Sequence, residues 1–287
     1  MRPIVVGVDP EEPTSAAVDW AIGEAKLRKR PLSLVLACGI PAAPQHEYPI
    51  GMNLPLKWAE EVVAKTAEYV RAQAPQVQVD SQVEPGTPGQ VLVAASAGAE
   101  VVVVGRQGLG RVESARLGST SAQIAAHARC PVVVVSDKTD PHVDRPVVVG
   151  VDGSQANSAA IEYAFQAAQL RKVPLIAIYA WELNLSEKAI LMWMGQENFD
   201  NLCRDQERVV HEAMAGWSQN YPDVEVDHVV SRQPPLARLE TEARSAGLLV
   251  VGSRGRGGFA RSVLGSVSQG LLYRVHECPV VIARDVE

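Results

Sequence analysis

In the stretch VVGSRGRGGFARSVLGS, from Val250 to Ser266, closely spaced glycines and arginines follow a pair of valines. An earlier stretch, VVGRQGLGRVESARLGS from Val103 to Ser119, has the same spacing, G-x2-G-x9-G-S. Glycine-rich turns expose several backbone N–H groups to one anion and let a phosphate approach closely. The duplicated spacing therefore predicts two phosphate-binding segments. The alternative for each stretch is a flexible surface turn.

The rest of the chain is duplicated as well. PIVVGVD at 3–9 matches PVVVGVD at 146–152, and the match extends along both halves. Self-similarity at a fixed period identifies the repeating structural unit of a chain. We predict two domains, 1–138 and 145–287, joined by a polar link.

Each half alternates short Val- and Ile-rich runs with segments of helical periodicity. In the first half, residues 15–29 and 55–74 have helical periodicity, and Thr14 is positioned to cap the first of these helices. Unbroken apolar strands are typical of parallel sheets that are covered on both faces. The sequence thus predicts two tandem α/β domains of Rossmann-like type, with helices on both faces of each sheet. The second half adds a long helix near 197–219.

Composition narrows the class of protein. The 287 residues are 47% hydrophobic and 21% charged, as in globular proteins, and the net charge of −6 argues against a nucleic-acid partner. The four cysteines lack zinc-site spacing, so we expect no metal held by a side-chain cluster and free thiols in a reducing cytoplasm. No apolar run reaches membrane-spanning length, and we expect no membrane partner.

The familiar phosphate-binding sequences do not fit either glycine stretch. No lysine follows the glycines as a P-loop requires, and the dinucleotide pattern G-x-G-x-x-G fails in both halves. The G-x2-G-x9-G-S spacing, with an Asp ending each first strand, resembles the ATP-binding branch of the universal stress protein family. The resemblance covers nearly the whole chain and is closest in kind to the tandem mycobacterial members.

This resemblance implies a five-stranded parallel sheet of order 3-2-1-4-5 in each domain, with ATP at the carboxyl edge and Mg²⁺ accompanying it. In the first domain, the residues that it places at ATP are Gly7, Asp9, Ala37, Val83, Gly105, Arg106, Gly108, Gly110, Arg111, Gly118 and Ser119. In the second domain they are Gly150, Asp152, Ser154, Ala180, Val230, Gly252, Arg254, Gly255, Arg256, Gly257, Gly258, Gly265, Ser266 and Val267.

Within this set, the serine of each Gly-Ser pair either caps the following helix or donates its hydroxyl to phosphate. The first N–H groups of that helix have no acceptor within the helix, and the helix dipole favours an anion there. The arginines either add positive charge at the phosphates or belong to solvated loops. Each strand-ending Asp either lines the nucleotide or caps the next helix.

The two halves depart from the family pattern at different places. The second half has Asp-Gly-Ser after its first strand, where Ser154 is a candidate helix cap or phosphate ligand. The first half has Asp-Pro-Glu-Glu there, and Glu11 and Glu12 should repel a polyphosphate unless Mg²⁺ is present. Conversely, the first half keeps Gly86 where the second has Gln233. We expect unequal ATP affinity at the two sites.

The sequence offers no evident nucleophile–base pair, so a binding protein is favoured over an enzyme, with at most slow ATP hydrolysis. The first hypothesis is a cytoplasmic, ATP-regulated protein of the stress or dormancy response. It would form a homodimer and be read by an unknown protein partner. The alternatives are a weak ATPase or related ATP-consuming enzyme, and an interaction scaffold whose nucleotide sites have decayed. Residues 181–199 are a candidate lid or subunit contact.

Overall fold

The chain folds into two compact units, whose bodies are Met1–Pro141 and His142–Ala283 in the computed structural model. The structure describes residues 1–39, 53–106, 117–139, 144–154, 157–183, 196–255 and 264–284. Side chains within 53–55 and 196–200 are not described.

The first unit alternates strands and helices along its described length. Its strands are β1 (Ile4–Gly7), β2 (Leu32–Cys38), β3 (Val79–Pro85), β4 (Val101–Gly105) and β5 (Val132–Val135). Its α-helices are α1 (Ala16–Arg28), α2 (Asn53–Gln73), α3 (Pro88–Ala95) and α4 (Ser119–His127). A short 3-10 turn, Ser96–Gly98, follows α3.

The second unit repeats this order. Its strands are β6 (Val147–Val151), β7 (Leu175–Ala180), β8 (Val226–Ser231), β9 (Leu248–Gly252) and β10 (Val280–Ala283). Its helices are α5 (Ser158–Arg171), α6 (Gln196–Met214), α7 (Trp217–Asn220), α8 (Pro235–Ala243) and α9 (Ser266–Arg274).

The strand order confirms the predicted fold. The strands of the first unit lie in the order β3-β2-β1-β4-β5, and those of the second in the order β8-β7-β6-β9-β10. The strand pairs within each unit are parallel. Consequently the carboxyl ends of the strands meet at one edge of each sheet, where ligands of open α/β sheets bind.

The central strands are buried on both faces, as the Val-rich runs predict. Val101, Val102 and Val103 are fully buried in β4, and Leu248 and Leu249 are fully buried in β9. Alanines supply the inner face of the first helix of each unit, which brings the helix close to the sheet. Each unit therefore has its own apolar core, which holds the carboxyl edge of its sheet in place.

Two local predictions were wrong. Ser15, and not Thr14, is the N-cap residue of α1, and its side chain makes no capping hydrogen bond. The long helix predicted near 197–219 is two helices, because Gly216 between them adopts φ 88°. Positive φ is a glycine conformation that ends helices. Within the described parts of the chain, no helix combines the length and the apolar character needed to cross a membrane.

Candidate functional site

A cavity of about 630 Å³ lies at the carboxyl edge of the second sheet, beyond β6, β7 and β9 and beside the start of α9. Its volume is in the range of small-molecule binding sites. The predicted site residues that line it are Gly150, Asp152, Ala180, Gly252, Arg254, Gly255, Gly265, Ser266 and Val267. Residues separated by more than a hundred positions in the chain thus surround one space.

Two hydrogen bonds bring the ends of the second glycine stretch together. The Gly265 N–H donates to the carbonyl of Ser253 at 2.8 Å. The Ser268 hydroxyl donates to the carbonyl of Gly252 at 2.6 Å. These contacts fix the first turn of α9 against the end of β9. The N–H groups of that first turn have no acceptor within the helix, and together with the helix dipole they favour an anion.

Asp152 connects the first turn of the unit with the glycine stretch. Its Oδ1 accepts hydrogen bonds from the backbone N–H and the hydroxyl of Ser154, at 2.8 and 2.7 Å. On the other side, a Cβ added to Gly255 would lie 2.9 Å from Asp152 Oδ2. Any larger residue at 255 would therefore displace the carboxylate or the loop, so glycine is needed here for close approach.

Close packing also explains why residue 150 is a glycine. A Cβ at this position would lie 3.0 Å from Leu239 Cδ1 and 3.1 Å from Val251 Cγ1. The Gly150 carbonyl accepts a hydrogen bond from Asn157 Nδ2 at 3.1 Å, and Asn157 is 3% exposed. The glycine lets α8 approach the sheet and so shapes the wall of the cavity.

The opposite wall is largely apolar. Ile178, Tyr179 and Ala180 of β7 line the cavity, followed by Trp181 and Glu182. The Tyr179 hydroxyl donates to Gln206 Oε1 of α6 at 2.6 Å, which holds the ring in place. One side of the cavity is thus suited to a flat apolar group, whereas the glycine stretch on the other side offers N–H donors.

The first unit repeats the backbone arrangement of the glycine stretch. Gly118 N–H donates to the Arg106 carbonyl at 2.9 Å, and the Ser121 hydroxyl donates to the Gly105 carbonyl at 2.6 Å. Arg106 is only 5% exposed, so it does not belong to a solvated loop. A Cβ on Gly7 would meet Leu92 Cδ1 at 2.7 Å, as its counterpart Gly150 would meet Leu239.

The first turns of the two units differ in shape. Asp9 Oδ1 accepts the Glu11 N–H at 3.0 Å, and the Asp9 carbonyl accepts the Glu12 N–H at 3.1 Å. Gly153 adopts φ 74°, a conformation that the Pro10 ring at the equivalent position excludes. Asp-Pro-Glu-Glu therefore cannot follow the path of Asp-Gly-Ser, and the polar edge of the first unit has its own geometry.

The remaining predicted residues fall into three groups. Ala37 lies in β2 and Val83 in the neighbouring β3, both close to the carboxyl ends of these strands. Val230 of β8 pairs with Tyr179 of β7 in the sheet register. Neither Val230 nor Ser154 is among the described residues that line the cavity, and Ser154 does not cap a helix, because Asn157 is the N-cap of α5. Outside the described residues lie Gly108, Gly110, Arg111, Arg256, Gly257, Gly258 and most of 181–199.

The Gly-Ser pairs also differ from the prediction in one respect. Gly118 and Gly265 are the N-cap residues, and Ser119 and Ser266 are the first residues of their helices. Neither serine is therefore the cap, whereas the hydroxyl of Ser266 lies at the cavity. Arg254, also at the cavity, is exposed.

Sequence reasoning missed several residues of the cavity wall. Ser268 had a usable signal, because Gly-Ser-Thr-Ser at 118–121 and Gly-Ser-Val-Ser at 265–268 repeat the second serine as well as the first. Trp181 and Glu182 begin the 181–199 segment, which the sequence indicates as a candidate lid or subunit contact. They were not among the predicted ATP-binding residues, and the first unit has Cys38 and Gly39 at those positions. The other missed lining residues are Asn157, Ile178, Tyr179, Pro235, Leu239 and Val251, whereas Val151 lines the cavity between Gly150 and Asp152, as the resemblance implied.

Comparison with known proteins agrees with the duplicated fold. The family model described as the universal stress protein family matches residues 1–136 and again residues 145–284. A universal stress protein of Mycobacterium tuberculosis is 36% identical over 293 residues, which cover 98% of this chain and 96% of the relative. One of Mycolicibacterium smegmatis is 35% identical over 294 residues, with the same coverage of 98% and 96%.

A solved structure gives independent support for the fold. The crystal structure of a universal stress protein from Archaeoglobus fulgidus matches with a TM-score of 0.67 at 19% identity, covering 98% of both chains. The strand order, the duplicated carboxyl-edge geometry and these matches lead to one assignment. The chain belongs to the universal stress protein family and carries two copies of its domain.

Proposed function

We propose that the protein binds ATP, accompanied by Mg²⁺, in the cavity of the second unit. The observation that carries the proposal is the cavity itself, which is lined by nine of the predicted ATP-binding residues. We further propose that this protein is cytoplasmic and takes part in the stress or dormancy response. Its ATP occupancy would be the regulatory signal, and it would act as a homodimer that a protein partner recognises.

The glycine stretch provides the phosphate end of the proposed site. Gly252, Gly255 and Gly265 line the cavity, and α9 begins at the same place. Nine residues long, this helix has the unpaired N–H groups and the dipole that stabilise a phosphate. The Ser266 hydroxyl and the Arg254 guanidinium add a donor and a positive charge.

The β7 wall provides the base end. Ile178, Ala180 and Trp181 offer apolar and aromatic contact for a purine, and Asn157 also lines the cavity. Among the described residues, Asn157 Oδ1 is a buried acceptor without a hydrogen-bond donor. A buried acceptor left in this way costs about 1–3 kcal/mol, and a donor from a ligand or a water molecule would relieve that cost.

The charges of the cavity favour a metal–nucleotide complex. Asp152 and Glu182 line it together with Arg254. Two carboxylates near a polyphosphate would repel it, and a divalent cation bound to the phosphates removes that repulsion. Asp152 already accepts two hydrogen bonds from Ser154, which fits a carboxylate that holds the turn and the glycine stretch in place. Binding with slow hydrolysis at most is the activity that this arrangement supports best.

The test is an ATP titration of the nucleotide-free chain carrying Gly255→Ala. Because the added Cβ would lie 2.9 Å from Asp152 Oδ2, the glycine stretch or the carboxylate must move. We expect ATP affinity to fall by about tenfold or more, equivalent to ~1.4 kcal/mol. The matched control is Gly23→Ala in α1, where a Cβ meets nothing within 4 Å. Unchanged ATP affinity in a folded Gly255→Ala protein would refute this site.

A further inference from the structure

Two histidines of the second unit lie side by side on a surface away from the cavity. His211 on α6 and His228 on β8 have their Nδ1 atoms 3.1 Å apart. Their ring centroids are 4.7 Å apart, with the planes inclined at 63°. Both side chains are exposed, so the pair is accessible from solvent.

We propose that His211 and His228 form a binding site for a first-row transition-metal dication such as Zn²⁺, through their two Nδ1 atoms. Zn–N bonds of about 2.0–2.1 Å at a tetrahedral angle place two ligand nitrogens about 3.3 Å apart, and a right angle places them about 2.9 Å apart. The observed 3.1 Å lies between these values. The spacing of the two nitrogens therefore already suits one metal ion bound by both rings.

The surroundings of His228 act on its pKa in opposite directions. Burial, followed by the neighbouring charge of His211, lowers the pKa of His228, while Asp227 acts in the opposite direction. Which ring donates in the contact between the two Nδ1 atoms depends on the tautomers of the rings. A metal ion bound to both Nδ1 atoms requires each neutral ring to carry its proton at Nε2 instead.

Regular elements hold the two rings in position. Val210 and Met214 anchor α6 in the core, with 0% and 1% exposure. The hydrogen bond of Gln206 to Tyr179 fixes the same helix to β7. A site on a packed helix and a strand has less freedom to rearrange than one on a loop.

The site has two protein ligands. In the described part of the chain, no group of three or more His, Cys, Asp or Glu side chains could hold a metal ion. Water molecules would therefore complete the coordination, and the affinity should be below that of structural zinc sites with four protein ligands. Imidazole nitrogen selects Zn²⁺, Cu²⁺ and Ni²⁺ over Mg²⁺ and Ca²⁺, which prefer oxygen ligands.

The tandem repeat supplies a matched reference. Val-Val-Ala-Lys-Thr-Ala at 62–67 aligns with Val-Val-His-Glu-Ala-Met at 209–214, so Ala64 corresponds to His211. Ser81 of β3 likewise corresponds to His228 of β8, because Val83 corresponds to Val230. Both histidines are thus present in the second unit and both are absent from the first. Replacing the pair with Ala and Ser installs residues that the same fold already accepts.

The experiment is a calorimetric titration of the nucleotide-free, full-length chain with ZnCl₂. We expect the His211→Ala, His228→Ser double variant to bind Zn²⁺ about tenfold more weakly or worse, because both nitrogen ligands are lost. Cys203→Ser, also on α6, is the control and should leave Zn²⁺ binding unchanged. If the double variant binds Zn²⁺ as the parent does, or if the parent binds none, the pair is an imidazole–imidazole hydrogen bond only and the proposal is overturned.

A second measurement locates the metal directly. In the NMR spectrum of the histidine ring nitrogens, Zn²⁺ should shift the Nδ1 signals of His211 and His228. It should leave the Nδ1 signal of His127 unchanged, since that atom lies 3.1 Å from the Gln123 carbonyl. The reciprocal variant, Ala64→His with Ser81→His, should add a second Zn²⁺ site to the first unit. Shifts confined to other histidines would contradict the assignment.

Discussion

At the scale of single residues, Asp152 shows that an aspartate can stabilise a turn and line a candidate binding site at the same time. Its Oδ1 accepts the Ser154 N–H, as an ordinary turn aspartate would, and its counterpart Asp9 does the same for Glu11. Oδ2 of Asp152 occupies the space beside Gly255 that a Cβ would need. One carboxylate thus links two segments that both line the cavity.

Buried thiols give the first prediction at this scale. Burial is the main cause that raises the pKa of Cys130 and of Cys278 to about 12. Both therefore remain protonated at about pH 8 and should react slowly, because the thiolate is the nucleophile. We expect iodoacetamide to label the partly exposed Cys203 about tenfold faster or more, as measured by mass spectrometry of the peptides. Equal labelling of all three in the folded chain would contradict the burial, and unfolding in guanidinium should equalise them.

Residue types and spacing predicted the glycine-rich side of the cavity better than its apolar wall. Glycines, the strand-ending Asp and the Gly-Ser pair recur in both halves, and recurrence at one spacing is visible in a sequence. Trp181, Asn157 and Leu239 reach the cavity through the packing of three different elements. Nothing in local sequence reports that convergence, because it depends on how helices rest on the sheet.

At the scale of elements, the two units achieve the same close contact between their last two helices with a glycine on different helices. In the first unit, Gly89 of α3 makes room for Gln123 of α4, since a Cβ there would lie 2.0 Å from Gln123 Oε1. In the second unit the small residue is on the other helix. Gly270 of α9 faces Leu236 of α8, and a Cβ would lie 2.6 Å from Leu236 Cδ2. The glycine thus lies on the first helix of the pair in one unit and on the second helix in the other, and both pairs of helices approach closely.

This exchange predicts opposite signs for two glycine-to-alanine substitutions in helices. Gly270→Ala should destabilise the protein, because overpacking costs about 1–3 kcal/mol and exceeds the gain in helix propensity. Gly23→Ala in α1 meets nothing within 4 Å, and it should stabilise the protein by about 0.5–1 kcal/mol. Urea unfolding measures both free energies of unfolding.

A companion variant separates overpacking from other causes. Leu236→Ala removes the side chain that the new Cβ would contact, so Gly270→Ala should cost less in that background. If Gly270→Ala were as stabilising as Gly23→Ala, the predicted contact between α8 and α9 would be wrong.

Element types were predictable because the apolar runs and the helical periodicity are long and regular, whereas the strand order was implied by the resemblance to the universal stress protein family. The helices predicted at 15–29 and 55–74 were found within two residues of those bounds, as α1 (Ala16–Arg28) and α2 (Asn53–Gln73). The break after α6 was missed, since a lone Gly216 inside a helical pattern does not reveal its φ. The cap of α1 was missed for a similar reason, because Thr14 and Ser15 are both good N-cap residues.

At the scale of the whole molecule, duplication followed by divergence gives two carboxyl edges with different first turns. The second unit has Gly153 in a positive-φ conformation, followed by Ser154 bound to Asp152. The first unit has Pro10 and two glutamates, and Asp9 and Glu12 form a short antiparallel bridge. Glu11 and Glu12 thus bring negative charge to the first turn of the first unit, where the equivalent Ser154 brings none.

We therefore predict one tight and one weaker ATP site in each chain. Calorimetric titration with Mg-ATP should resolve two phases, and Gly255→Ala should remove the tight phase alone. The variant Pro10→Gly with Glu11→Ser gives the first unit the Asp-Gly-Ser turn of the second. It should strengthen the weak phase, because the turn can then adopt positive φ and one repulsive carboxylate is gone. Two equal phases in the parent chain, or a weak phase indifferent to this variant, would show that the first turn does not set the difference between the units.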